Sequence, residues 1–252
     1  MKLMLLSCEI MYREISHCIA QSTNIVDVNF LKKGLHDIGQ KEMSTALQDE
    51  INNVPKDTYD AILLGYGLCN NGIKGLTTEY NRLVVPRAHD CITLLLGSKE
   101  KYMDYVDKNP GTYFRSTGWI ERNTPILEED GKPRSTMTQL GFNRTLEELI
   151  EKYGEDNGRY IMETMESWQG PNNYDTLGYI DMDIGNFDRY EEQSRQEACD
   201  KGWSFKRLQG DTSLLQRLVD GDWNNDEFLI VEPGQRIEPV YLGEIIKVED
   251  IV

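Results

Sequence analysis

Within the first hundred residues, short apolar runs alternate with stretches of helical period, and that alternation is what most constrains the fold. Residues 2–7 read as a buried strand and residues 9–20 as a helix with Ile10, Ile15 and Ile19 on one face. Residues 24–31 alternate as a strand, 41–53 as a helix, 60–65 as a strand ending in glycine, and 83–86 as a strand followed by a helix over 91–106. Strands separated by helices need crossover connections, which predicts an α/β fold with a mostly parallel, doubly wound sheet. The same grammar returns later, with strands at TLGYIDMDI, WSFKRL and EFLIVEPG and helices over 187–201 and at TSLLQRLVDG. Two similar Rossmann-like lobes and one continuous sheet both satisfy this pattern.

Three parts follow. Residues 1–110 form an N-terminal α/β lobe, 111–176 an irregular middle segment or lid, and 177–252 a C-terminal α/β part packing on the first lobe. In the middle, GTYFRSTGWIERN reads as strand and loop, ILEEDGKPRSTMTQ as turn-rich, and residues 145–154 as a capped helix. Residues 236–252 are expected to wrap the surface or form an edge.

With 43 acidic against 27 basic residues the formal charge is −16 and no basic stripe compensates it, which argues against nucleic-acid binding. No apolar stretch approaches the roughly 20 residues of a membrane span. The opening MKLMLLSCEI is interrupted by charge soon after and lacks a cleavage pattern, so a cytoplasmic protein without a membrane partner is expected. Five cysteines at scattered positions suit reduced thiols or metal ligands better than a disulfide framework.

Chemistry concentrates where strands end. Cys8, His36, Cys69 and the His89-Asp90-Cys91 triplet each fall just beyond a predicted strand, at the ligand-binding edge of a parallel sheet. Thiolates and neutral imidazoles are soft or borderline ligands, so Cys8, Cys69, His89 and Cys91 form a candidate zinc set. In an extended backbone His89 and Cys91 point the same way and can share one ion. Taken singly, each cysteine is ordinarily a small buried hydrophobe; taken together at strand ends they point to a metal or a catalytic thiol. Cys18 and Cys199 sit within helices and carry no such signal. The turn GYGLCNNG suits close backbone approach to a ligand. Arg87 is a candidate anion contact, with surface ion pairing the plain alternative. His36 is a candidate substrate contact, with a fourth metal ligand or a turn residue as alternatives, and Tyr66, Tyr113 and Trp119 are candidate substrate contacts, although aromatics in such runs usually pack in a core. Glu9 and Asp90 are candidate acid-base groups.

The segments CEI at 8–10, GLHD at 34–37, LGYGLCNNG at 64–72, PRAHDCITLLLGS at 86–98 and GTYFRSTGWIE at 111–121 resemble the domain of unknown function 1638 family of bacteria and archaea. GDTSLLQRLVDGDW and FLIVEPGQ extend the resemblance over most of the chain. It implies an anaerobic setting beside corrinoid-dependent methyltransferase systems. The His-x-Cys pair with a distant Cys is also similar to the ligand set of zinc methyltransferases that pass methyl groups from a corrinoid to a thiol, whose barrel fold is not expected here. The leading expectation is a zinc-dependent methyltransferase of one-carbon metabolism, acting on a small-molecule substrate with a corrinoid protein as possible partner. One alternative is a lyase holding an iron-sulfur cluster on Cys8, Cys69 and Cys91. The other is a non-enzymatic accessory protein for a corrinoid protein or small metabolite.

Overall fold

A computed structural model describes residues 1–36, 39–69, 71–122, 174–240 and 243–251, with a few positions between 146 and 159. The expected polar run and most of the capped helix at 145–154 lie outside the described residues.

The chain forms an α/β structure with two parallel-rich sheets. In the first, β1 (Lys2–Cys8), β2 (Ile25–Leu31), β3 (Ala61–Gly65) and β4 (Arg82–Pro86) run parallel in the order β2-β1-β3-β4, and β8 (Phe228–Val231) closes the edge antiparallel to β4. β3 is buried throughout, which is why AILLG carries no polar side chain. Helix α1 (Tyr12–Gln21) connects β1 to β2 and α2 (Gln40–Asn52) connects β2 to β3, whereas α3 (Cys91–Leu96) and α4 (Lys99–Lys108) follow β4 and lead to the second sheet. Ile15 and Cys18 of α1 and Met43, Leu47 and Ile51 of α2 supply the buried helix faces.

The single helix expected over 91–106 is broken in two. Gly97 takes a left-handed φ of 82°, its Cα stands against Asp211, and the Ser98 hydroxyl then caps α4 by accepting from the Lys101 N–H at 3.2 Å. Likewise, the segment read as strand and loop after residue 111 is a strand followed directly by a helix, because the Ser116 hydroxyl accepts from the Trp119 N–H and starts a new turn.

The second sheet is β5 (Thr112–Ser116), β6 (Thr176–Asp181) and β7 (Ser204–Gln209), all parallel, covered by α6 (Asp188–Lys201) around Leu177, Tyr179 and Ala198. The expected boundary at 111 falls just before β5. The expected C-terminal part is shared between lobes: β6, α6 and β7 build the second sheet, whereas α7 (Ser213–Asp220) packs on α1 and β8 joins the first. β9 (Gln235–Pro239) and β10 (Ile246–Asp250) pair antiparallel as a separate two-stranded sheet.

The two lobes meet through α5 (Thr117–Glu121), which lies on the 3-10 turn Glu9–Met11. Gly118 makes that approach possible, since a Cβ there would overlap the Ile10 carbonyl. Arg13 of the first lobe grips Glu121 of the second with two hydrogen bonds of 2.7 Å. Among the described residues no helix is long and apolar enough to cross a membrane.

Candidate metal centre

The strands that carry Cys8, Cys69 and Cys91 lie side by side in the order β1-β3-β4, so the loops at their carboxyl ends are neighbours. The chain passes from β1 to β2 on one side and then to β3 on the other. That reversal places the topological switch point, the usual ligand crevice of an open α/β sheet, between β1 and β3. Cys8 is the last residue of β1. Cys69 follows β3 with a left-handed φ of 45°, and its N–H donates to the His89 carbonyl at 3.0 Å. The Leu68 N–H donates to the Ala88 carbonyl at 2.8 Å, so the loops after β3 and β4 are stitched together. Gly67 lets them close: a Cβ there would stand 2.7 Å from the Asp90 backbone. Cys91 opens α3.

The three thiols line one partly enclosed chamber of about 20 Å³, with Ile10, Met11, Leu35 and Met43 as apolar walls, Tyr66 beside them, and Trp119 reaching in from the second lobe. That volume accepts one water-sized occupant. Lys32 and Lys33, from the loop beyond β2, complete the lining.

Burial dominates the thiol acidities. It pushes Cys69 up to about 12, helped by Asp90 and Cys8. Burial pushes Cys91 well above the ordinary thiol range, and Cys69, Asp90 and Cys8 add to the effect. Opposing this, backbone hydrogen bonds from Gly67 and Cys91 favour the Cys69 thiolate, and a hydrogen bond from Trp119 favours that of Cys91. The Cys69 and Cys91 sulfurs therefore have donors suited to their anionic form but lie where an uncompensated thiolate is costly. A bound cation would resolve that conflict, and the donor set of three thiols is chemically suited to zinc or iron. Among the described residues no three Cys, His, Asp or Glu side chains are arranged to hold an ion as they stand.

The remaining sequence candidates are distributed differently. His89 does not join the chamber. Asp90 is extended but Cys91 begins α3, so the shared direction expected of an extended His-x-Cys pair is lost. The His89 ring stacks on Tyr102 with centroids 5.7 Å apart and faces a separate open cavity of about 390 Å³ beside Lys99 and Met103. Asp90 caps α3, accepting from the N–H groups of Ile92 and Thr93 at 3.0 and 3.1 Å, and its other oxygen accepts from the Tyr102 hydroxyl at 3.2 Å. That carboxylate is occupied in structure rather than held ready for acid-base work. Glu9 accepts from the Lys33 N–H at 3.0 Å and so anchors the lysine loop. Arg87 is a clamp on the C-terminal segment: it donates to the carbonyls of Asn225, Glu244 and Ile246 and pairs with the Glu244 carboxylate. Tyr113 lies in the second lobe, packed with Tyr174 and Trp203. His36 closes the 3-10 turn Lys33–His36, next to the chamber residue Leu35. Tyr66 and Trp119 line the chamber. Lys32 and Lys33 escaped the sequence reading, although a pair of cations just past the end of a predicted strand meets the same topological criterion that selected the cysteines.

Fold and site together define an α/β protein with a thiol-lined chamber at the switch point of a parallel sheet. The family model described as Protein of unknown function (DUF1638) matches residues 30–219, and the chain belongs to that family. No curated protein and no solved structure matches the chain.

Proposed function

We propose that this protein binds one zinc ion through Cys8, Cys69 and Cys91 and is a cytoplasmic methyltransferase of anaerobic one-carbon metabolism, with a thiol as the methyl acceptor. The supporting observation is the convergence of three thiols, from the loops at the ends of three neighbouring parallel strands, on one partly enclosed chamber. Three protein ligands leave a tetrahedral ion one position open, the pattern of catalytic rather than structural zinc. Zinc in this place would lower the pKa of a substrate thiol and populate its nucleophilic form near neutral pH. The chain's own residues orient and shield: Ile10, Met11, Leu35 and Met43 exclude water, the Trp119 contact directs Cys91, and the stitched loops after β3 and β4 fix the spacing of Cys69 and Cys91. The resemblance to proteins that accompany corrinoid systems supports a corrinoid protein as the methyl-carrying partner.

Anaerobically purified protein is expected to hold one zinc per chain, lost in Cys69→Ser and Cys91→Ser and kept in His89→Ala. Full zinc occupancy in Cys91→Ser contradicts the proposal. Among the described residues no histidine lines the chamber, which favours one second reading, an iron-sulfur cluster on the same three cysteines with one iron open to substrate. The atom-sized chamber supports the single ion instead. Brown protein with stoichiometric iron and sulfide would select the cluster. No stoichiometric metal, with partner binding intact in the Cys variants, would select an accessory protein.

A further inference from the structure

The chamber is built almost wholly by the first lobe. Its described lining comes from the ends of β1 and β3, the turn Glu9–Met11, the loop beyond β2, α2 and Cys91; among the described residues Trp119 alone crosses from the second lobe. A space of about 20 Å³ holds one water-sized occupant and no larger molecule while those walls stay in place. Cys8 and Cys69 are buried behind them, so anything larger reaches these thiols only after a wall has moved.

The walls are held by contacts of different kinds. Those of the first lobe are strands, a helix and loops stitched by backbone hydrogen bonds, such as that from the Leu68 N–H to the Ala88 carbonyl. α5 instead rests on the turn Glu9–Met11 without sheet pairing. Gly118 lies against the Ile10 carbonyl, the Trp119 indole donates to Cys91, and the Lys33 ammonium lies 4.6 Å from the centroid of the Trp119 ring. Arg13 fastens this contact, with two 2.7 Å hydrogen bonds to Glu121 and its guanidinium 4.3 Å from the centroid of the Phe187 ring at the start of α6. Glu121 also accepts from the Tyr190 hydroxyl at 3.2 Å, and the Thr117 hydroxyl lies 2.8 Å from that of Tyr179. α5 is thereby tied to the second sheet and moves with it. Elsewhere that sheet is held by apolar contact, with Phe114, Ile180 and Leu208 packed on the core of the first lobe. Parting an ion pair at a solvated edge costs little, because water replaces each partner, whereas parting the apolar contact exposes area to water. The first is built as a latch and the second as a pivot.

We propose that α5 is the latch of the thiol chamber: it parts from the turn Glu9–Met11 together with the second sheet, pivoting on Phe114, Ile180 and Leu208, and withdraws Trp119 to open the thiols to solvent. The Arg13-Glu121 clamp sets how often it opens. This concerns the walls and not the occupant, so it stands or falls apart from the zinc assignment.

The test uses metal-free, reduced, full-length protein alkylated with iodoacetamide under native conditions, with modification at each cysteine followed by mass spectrometry. The other two cysteines are internal references: Cys199 is exposed and reports the reagent, whereas Cys18 is fully buried in the first-lobe core and reports unfolding. Arg13→Gln and Glu121→Gln should each speed alkylation of Cys69 and Cys91 about tenfold, as expected when a bidentate charge-assisted pair made only in the closed form is lost. The double variant should be no faster than the single ones, because all three break one clamp. The two substitutions change the local charge in opposite directions, so an effect on thiol acidity alone would speed one variant and slow the other. That opposed result, or rates unchanged in both variants, would overturn the latch. A measurement on the unaltered protein guards against variants that merely unfold. Its Cys69 should react faster than Cys18 and with a weaker dependence on urea, since parting α5 exposes far less surface than unfolding does. Equal urea dependence at the two thiols would mean that the chamber opens only when the whole fold does, and the proposal would fail.

Discussion

Replacing Tyr66 with phenylalanine removes one oxygen and leaves the ring's shape unchanged, so the variant isolates what the hydroxyl does. In the substrate-free protein that oxygen is buried and has no hydrogen-bond partner among the described residues. A buried hydroxyl in that condition costs about 1–3 kcal/mol. Tyr66→Phe should therefore stabilise the metal-free, substrate-free protein by about 1–2 kcal/mol, or roughly 2–8 °C in Tm for a chain of this size. Tyr179→Phe is the matched control, because that buried hydroxyl lies 2.8 Å from the Thr117 hydroxyl. Its loss leaves Thr117 unpaired and should destabilise by about 1–2 kcal/mol. Both differences can be read from urea unfolding under reducing conditions with chelator present. A Tyr66→Phe variant destabilised as much as Tyr179→Phe would refute the reasoning, since it would mean that the hydroxyl is already satisfied.

Glu14 gives a pH-dependent prediction. Burial raises its carboxyl from 4.5 to about 7, against the smaller opposing effects of its own backbone N–H and Arg13. Because the folded value is the higher one, folding carries no penalty below about pH 4.5, where both states are protonated; the penalty grows between there and pH 7 and is complete above it. Glu14→Gln should thus stabilise by up to about 3 kcal/mol at pH 8 and by almost nothing at pH 4, and a difference independent of pH in denaturant titrations would count against a buried acid. Asp90→Ala removes the cap of α3 and should cost about 1–2 kcal/mol while loosening Cys91, measured as lower stability together with faster alkylation of that thiol. Gly118→Ala forces a methyl group onto the Ile10 carbonyl and should cost about 1–3 kcal/mol; unchanged stability with Cys91 still protected from alkylation would show that α5 docks differently.

The cysteine cluster was legible in the sequence because it depends on topology alone. Once Cys8, Cys69 and Cys91 are known to follow parallel strands, the carboxyl-edge rule gathers them without knowledge of any side-chain contact. His89 depended on something finer, the backbone conformation of a three-residue turn. There the Asp90 cap starts α3 at Cys91 and separates the two side chains. Arg87 and Tyr113 needed tertiary partners that no local pattern supplies: the C-terminal carbonyls for one, the Tyr174-Trp203 cluster for the other. The split between α3 and α4 had a local signal in Gly97-Ser98, a left-handed cap followed by an N-cap, which the apolar run Leu94-Leu95-Leu96 obscured. The sharing of the chain's last third between two sheets follows from long-range pairing, such as that of β8 with β4, which composition does not encode.

The most direct measurement of the central claim is X-ray absorption at the zinc edge on the anaerobically purified protein. Three sulfur ligands at about 2.3 Å with one lighter or exogenous ligand is the predicted shell. That shell should remain unchanged in His89→Ala. A first shell dominated by nitrogen and oxygen, or one that survives Cys69→Ser intact, would contradict a zinc centre built from Cys8, Cys69 and Cys91.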